Sequence, residues 1–359
     1  MFQKDFFSNY KIRWKKTKNI DVENIVKNNL LKNKDEEKLQ IYQHSGLEIN
    51  SKNFKIKINR KFKLLKRWDM IYVNRISNWE SQPGIINPKN VINTLQMLKW
   101  LISKRGSVLN VEKFLNNMNI INFKNFYWSI FSFYEGEHYS GKNENFYDIV
   151  KTIARTSELL LKYPLKKKLN KKPSYNFTEA GEIIGNMRKK YKLWKFFFGK
   201  KNSEILNSYW PKIIEIYKYL EEIKIKKNML EPVHIDMTPH NLLIKKKKIL
   251  ILDPDSFMVA PIGEAFAYAG LKICRQYIVK NKLQKSATQV GDDFIKIVNK
   301  NYSLGSGFSK NYYYLSLSYI LERLVNIFRS NIVNEDKQWN NFLILQLTHI
   351  DEAARIFKK

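Results

Sequence analysis

The segment that decides the fold runs from Glu231 to Phe257, EPVHIDMTPHNLLIKKKKILILDPDSF. Two apolar runs, Leu242 to Ile244 and Ile249 to Leu252, stand on either side of four lysines, the pattern of a hairpin of two short buried strands with a solvated turn. Polar residues flank the runs: His234, Asp236 and Asn241 before the first, Asp253 and Asp255 after the second. Closing the hairpin brings the flanks together, so three carboxylates and an amide converge on one small volume. Hard oxygen donors gathered in this way suit Mg²⁺, which is ordinarily held by one or two protein ligands plus substrate phosphates.

The spacing H-x-D-x4-N, followed by a strand ending in Asp, resembles the catalytic core of the aminoglycoside phosphotransferase and choline kinase superfamily, small-molecule kinases with a protein-kinase-like fold. The resemblance implies an α+β, two-lobed molecule with a small β-rich N-lobe and a larger, mostly helical C-lobe. Residues 1–134 would form the nucleotide-binding lobe and 135–359 the catalytic and acceptor-binding lobe, with a helical insertion at about 176–227. It also implies roles for the flanking residues. Asp236 takes the place of the catalytic base, and Asn241 and Asp253 that of the metal ligands. Asp255 reaches the second metal if the strand continues past Asp253. His234 is expected to bond backbone near the metal Asp, and His240 to face either the acceptor pocket or the surface.

In the N-terminal lobe, Phe54, Ile56 and Ile58 alternate with polar residues and are followed, after Asn59-Arg60-Lys61, by Phe62, Leu64 and Leu65, an antiparallel hairpin. The loop before it, HSGLEINSKN, offers Ser45, Gly46, Asn50 and Ser51 as phosphate donors, with Asn53 beside them. By resemblance Lys66 is the strand lysine that contacts the α- and β-phosphates, with Lys63 as the alternative register. The helix expected over Pro88 to Arg105 would normally carry the acid that pairs this lysine, yet it contains no Asp or Glu. Either Gln96 orients Lys66 or the acid comes from elsewhere. The aromatic strand from Asn125 to Gly136 leads to a hinge at which backbone groups of Ser132 to Tyr134 would read the adenine edge.

Other elements follow from periodicity. A helix starts at Asp21 and breaks near Asn33; another covers Tyr147 to Tyr163 with Ile149, Val150, Ile153, Ala154, Leu159 and Leu160 inward. PLKKKLNKKPSY, from Pro164, reads as a surface loop. The insertion carries two helical segments whose aromatics, Tyr191, Trp194, Phe196 and Phe197, are expected to pack rather than stack on ligand. A buried helix starts at Pro261, with Glu264 in a structural role, and two helices, Tyr312 to Phe328 and Trp339 to Phe357, close the chain.

The 359 residues carry a net charge of +31, a balance that raises nucleic acid, an anionic membrane surface or a phosphate-rich substrate as partners. Lysine far outnumbers arginine and is spread along the chain, as in AT-rich genomes, so nucleic acid is not the expected partner despite the basic charge. Cys274 is the only cysteine, which excludes an intrachain disulfide, and no stretch approaches the length of a membrane span. The expectation is a cytoplasmic phosphotransferase that uses ATP and Mg²⁺, with a small-molecule hydroxyl acceptor and no membrane partner. Two other readings stay open: a catalytically silent kinase-fold binding protein, favoured by the missing helix acid and the single loop glycine, and a polyanion binder.

Overall fold

The computed structural model describes residues 13–31, 38–45, 51–68, 70–75, 78–83, 88–172, 176–222, 229–282, 287–333 and 339–358. The first lobe contains β1 (Arg13–Thr17), α1 (Ile20–Asn29), β2 (Leu39–Ser45), β3 (Ser51–Ile58) and β4 (Lys61–Trp68). A separate hairpin, β5 (Met70–Arg75) and β6 (Asn78–Pro83), precedes α2 (Pro88–Ser103), β7 (Ile121–Phe123) and β8 (Phe126–Ser132). Six strands form one antiparallel sheet in the order β1-β2-β3-β4-β8-β7.

The expected hairpin is β3–β4, paired from Ser51↔Trp68 to Ile58↔Lys61. Its alternation buries Phe54 and Ile56 against α1, which contributes Val22, Ile25 and Val26. Asn59 makes the turn in a left-handed conformation, φ 54°, which Asn tolerates better than most residues. Helix α1 is capped by Asn19, whose side-chain oxygen accepts from the Val22 amide at 3.0 Å. This helix ends at Asn29, earlier than the break expected near Asn33, and Leu39–Ser45 forms a strand that the sequence reading did not name. Pairing to both β1 and β3 gives LQIYQHS a full ladder that its acidic, helix-like lead-in conceals.

The second lobe comprises β9 (Glu137–His138), α3 (Asn143–Leu161), α4 (Phe177–Lys189), α5 (Trp194–Phe198), α6 (Lys200–Glu222), β10 (Leu230–His234), β11 (Leu242–Lys245), β12 (Lys248–Ile251) and β13 (Phe257–Pro261). It ends with α7 (Ile262–Asn281), α8 (Ala287–Asn301), α9 (Tyr312–Val333) and α10 (Leu343–Phe357). Helix α3 buries Ile149, Val150, Ile153, Ala154 and Leu160 as the periodicity demands, each side chain larger than Ala contributing on the order of 1.5–3 kcal/mol. Helix α8 has no counterpart in the sequence reading.

Two apolar clusters result. The smaller lies between α1 and the sheet, and the larger fills the helical lobe and includes Val91, Leu95, Met97, Leu98 and Leu101 of α2. The segment after α2 stitches the lobes together. Val108 bridges Ile251 of β12, the Ile251 amide donates to the Ser107 carbonyl at 2.8 Å, and Val111 bridges Phe131 of β8.

Of the stretch expected as a surface loop from Pro164, the described part, residues 164–172, is not all at the surface. Lys172 is buried, with Nζ 2.7 Å from Glu322 and 3.7 Å from Glu264, and Glu264 also accepts from Ser318 Oγ at 2.7 Å. The lysine neutralises two acids that α7 and α9 bring into the core, which confirms the structural place of Glu264.

Candidate active site

The β11–β12 hairpin pairs Leu242↔Ile251 through Lys245↔Lys248, so the four lysines form the turn end. Beside it β10 and β13 pair with His234 opposite Phe257. The two ladders leave the segments 235–241 and 252–256 side by side, and the polar residues of the opening motif sit on them.

His234 braces the two segments. Its Nδ1 accepts from the Asp236 amide at 3.2 Å, which places the ring proton on Nε2, 2.8 Å from the Leu252 carbonyl and 3.1 Å from that of Asp253. Burial pushes its pKa below the ordinary histidine value despite the carboxylates of Asp253 and Asp236, so the ring stays neutral and serves as a strut.

Asp236 lies in the loop after β10 with a quarter of its side chain exposed (25%). The Asn241 amide nitrogen donates to both its backbone oxygen (2.8 Å) and its Oδ2 (2.9 Å). His240 Nε2 approaches the same oxygen at 3.6 Å. Burial alone would raise this carboxyl, but His240, the Arg323 guanidinium and His234 outweigh it and hold the group well below the usual carboxylate range. Asn241 sits on a short 3₁₀ turn, Pro239–Asn241, and with its nitrogen spent on Asp236 its Oδ1 is the atom left to face a cation.

Strand β12 stops at Ile251 rather than continuing to Asp255. Asp253 takes a left-handed conformation, φ 55°, ψ 73°, and the chain then turns through Pro254–Ser256. A non-glycine residue here costs on the order of 1 kcal/mol, a strain that gathers at functional sites. Ser256 Oγ donates to Asp253 Oδ2 at 2.6 Å, while the side chain remains 33% exposed. Asp255 therefore reaches the cluster by a turn and not along a strand.

Lys66 enters from the other lobe. It lies on β4 between Leu65, which faces the sheet core, and Trp68, whose ring it covers at 5.2 Å. Only 3% of its side chain is exposed, and Nζ is 3.1 Å from Asp255 Oδ2 and 3.9 Å from Asp253 Oδ1. Asp255 is itself 8% exposed. The acid that faces Lys66 thus comes from the 254–256 turn and not from α2. Lys63, the alternative register, instead binds Glu112 at 2.5 Å.

At the hinge, the Ser132 amide donates to the Asn110 carbonyl at 3.0 Å and its hydroxyl to Glu112 at 2.8 Å, so the Ser132 amide is already engaged. The Tyr134 hydroxyl lies 3.2 Å from the Lys248 carbonyl, tying the hinge to the β11–β12 turn. Gly46 and Asn50 lie outside the described residues, and Ser45 and Ser51 close the strands on either side of that loop.

Next to Asp236 the helical lobe contributes groups that the sequence reading passed over. Arg323 Nη2 donates to the Tyr319 hydroxyl at 2.8 Å, which donates to the Ile235 carbonyl at 3.4 Å, and Tyr268 stacks on Tyr319 at 4.2 Å. Burial pushes the Tyr319 phenol up to about 12, so it stays protonated. Tyr319 and Arg323 share one face of α9 at i, i+4, a spacing visible in the sequence, but nothing local marks that face as adjoining Asp236.

The architecture, a small antiparallel sheet lobe on a mostly helical lobe with the polar cluster between them, is a two-lobed, protein-kinase-like fold. The chain resembles spectinomycin phosphotransferase APH(9)-Ia solved with ADP and spectinomycin (TM-score 0.57, 13% identity, covering 96% of this chain and 94% of that one). It also resembles an aminoglycoside phosphotransferase from Alicyclobacillus acidocaldarius (0.59, 11%, 87% and 88%) and choline kinase from Cryptosporidium parvum (0.55, 15%, 92% and 94%). Identities this low carry the fold and not the activity. No family model matches the chain, and no curated protein sequence matches it.

Proposed function

We propose that this chain is an ATP- and Mg²⁺-dependent phosphotransferase that acts on a hydroxyl of a small molecule. The observation that carries the reading is the meeting of Lys66 from the sheet lobe with Asp253 and Asp255 from the helical lobe, one braced turn away from Asp236 and Asn241. Asp236 is held ionised and partly exposed, as a group that takes the proton of an attacking hydroxyl must be. As that proton passes to Asp236, the hydroxyl oxygen bonds to the γ-phosphorus and the bond to the departing ADP oxygen breaks. Lys66 positions the phosphates, and the backbone at 133–134 faces the base. Asn241 Oδ1 and Asp253, with Asp255 beside them, are hard oxygen donors that fit Mg²⁺; the ion would neutralise phosphate charge. Transfer of this kind needs mainly positioning and charge neutralisation.

The Arg323 charge near Asp236 opposes polycationic acceptors and favours a neutral or anionic sugar-like one. The pairing of Lys66 with Asp255 also weakens the argument for a silent member of the fold, which rested on the acid missing from α2. A screen of hydroxyl compounds with Mg·ATP, scored by acceptor-stimulated ADP release, tests the activity. Mg·ATP should also raise the thermal midpoint, and Asp253→Ala should remove that shift. No acceptor-stimulated release from any sugar, amino alcohol or hydroxy acid, together with an unshifted midpoint, would overturn the proposal.

A further inference from the structure

The elbow between α4 and α6 carries a feature that the catalytic reading leaves unused. From Ile183 to Ser203 the chain has seven cations, Arg188 and six lysines, and no Asp or Glu. The overall charge of +31 over 359 residues corresponds to about +2 for a window of this length, against the +7 found. All seven cations are exposed.

Among them stand three exposed apolar side chains within six residues: Tyr191 (55%), Leu193 (46%) and Phe196 (70%). Of the four insertion aromatics expected to pack, Trp194 is buried and Phe197 half-buried, while Tyr191 and Phe196 face out. The elbow is nevertheless firmly seated. Trp194 Nε1 donates to the Met187 carbonyl at 2.9 Å and its ring lies 4.8 Å from that of Trp210. Phe198 is buried, and the Asn340 amide nitrogen donates to the Phe197 carbonyl at 2.7 Å. Gly199, φ 79°, then lets the chain turn sharply into α6.

Exposed apolar residues scattered singly mean little, but three presented together from an anchored turn and ringed by cations match the chemistry of a peripheral membrane contact. Cations alone would suit nucleic acid equally. Leu193 and Phe196 decide between them, because exposed apolar side chains gain from an acyl boundary and gain nothing from a phosphate backbone. We propose that this elbow docks the protein on an anionic lipid surface, with Tyr191, Leu193 and Phe196 entering the headgroup boundary and the lysines facing the lipid charge. The contact is peripheral: among the described residues no helix is long and apolar enough to cross a membrane. It departs from the expectation of no membrane partner and is independent of the catalytic reading.

The test is co-sedimentation of the full chain with phosphatidylcholine vesicles, with and without phosphatidylserine. Binding should need phosphatidylserine. Leu193→Ser/Phe196→Ser, which leaves the charge unchanged, should weaken it by roughly tenfold, with an unaltered thermal midpoint as the check on folding. Lys189→Gln/Lys190→Gln/Lys192→Gln should weaken it comparably, whereas Lys245→Gln/Lys246→Gln/Lys247→Gln, an equal loss of charge on the β11–β12 turn, should not. The proposal is overturned by absence of binding, by binding indifferent to phosphatidylserine or to the apolar pair, or by equal effects of the two lysine sets, the mark of diffuse charge. Displacement from vesicles by duplex or single-stranded nucleic acid, with nucleic-acid affinity untouched by the apolar pair, would point to a polyanion site instead.

Discussion

Replacing Asp255 by Asn tests the pairing that stands in for a helix acid. At 3.1 Å and an effective dielectric of about 20, the attraction between Lys66 and Asp255 is about 5 kcal/mol, and that with Asp253 at 3.9 Å about 4 kcal/mol. Removing one partner of a buried pair ordinarily costs about 3–5 kcal/mol, because the other charge is left uncompensated. Here Asp253 remains within reach of Lys66 and Asn keeps one acceptor oxygen, so the expected loss is nearer 2 kcal/mol. For a chain of this length that corresponds to about 3 °C in the thermal midpoint. Lys66→Met leaves two carboxylates without their cation and should cost at least as much. The decisive quantity is the coupling. In urea unfolding at neutral pH, the double variant should be less destabilised than the sum of the singles by more than about 1 kcal/mol. Additive losses, or a cost below about 0.5 kcal/mol for Asp255→Asn, would show that the pair does not hold Lys66.

Asp236→Asn should preserve nucleotide-induced stabilisation while lowering acceptor-dependent turnover by about 10²-fold or more, read from steady-state ADP release. Lys172→Met should destabilise by about 3–5 kcal/mol in urea, since Glu264 and Glu322 would be left buried together, and Glu322→Gln in the same chain should recover part of it. Acid should weaken the fold through His234 and His349, both buried and both held below the ordinary value of 6.5. The unfolded chain takes up these protons below about pH 6.5 and the native one resists, so each contributes up to about 1.4 kcal/mol of lost stability per pH unit until its folded pKa is passed. His349→Asn should flatten the fall in thermal midpoint between about pH 6.5 and pH 5. Asp236, depressed in the native state, contributes only at more acid pH, as it falls through the ordinary value of 3.8.

The β11–β12 hairpin was legible because its pattern is local: apolar runs fix two strands, and residues flanking paired strands must meet. Lys66 was singled out by the resemblance, with Lys63 as the alternative, and the β3–β4 register, with Leu65 turned to the sheet core, is what puts Lys66 rather than Lys63 opposite Asp255. The source of its acid was not legible, because Asp255 is nearly two hundred residues away and arrives by a turn that the continued strand did not anticipate. Lys172 was hidden among surface lysines for a similar reason: its burial depends on Glu264 and Glu322, acids of two helices far along the chain. Strand β2 was missed because the acidic run before it has helical character and its own evidence is the ladder on either side. Arg323 and Tyr319 carry a helical spacing but no mark of what lies opposite them.

The stitch after α2 sets the gauge of the cleft. Through Ser107 and Val108 it is bonded to β12, two residues short of Asp253, and through Val111 to β8, the strand that runs to the hinge. The segment Ser107 to Val111 thus acts as a spacer between β12 of the helical lobe and β8 of the sheet lobe. Adding or deleting one residue would shift extended backbone by about 3.3 Å and turn each following side chain to the opposite face. That displacement equals the whole length of the Lys66 to Asp255 contact, so chain length at this point, more than the identity of any residue in it, determines whether the two lobes can share a charge.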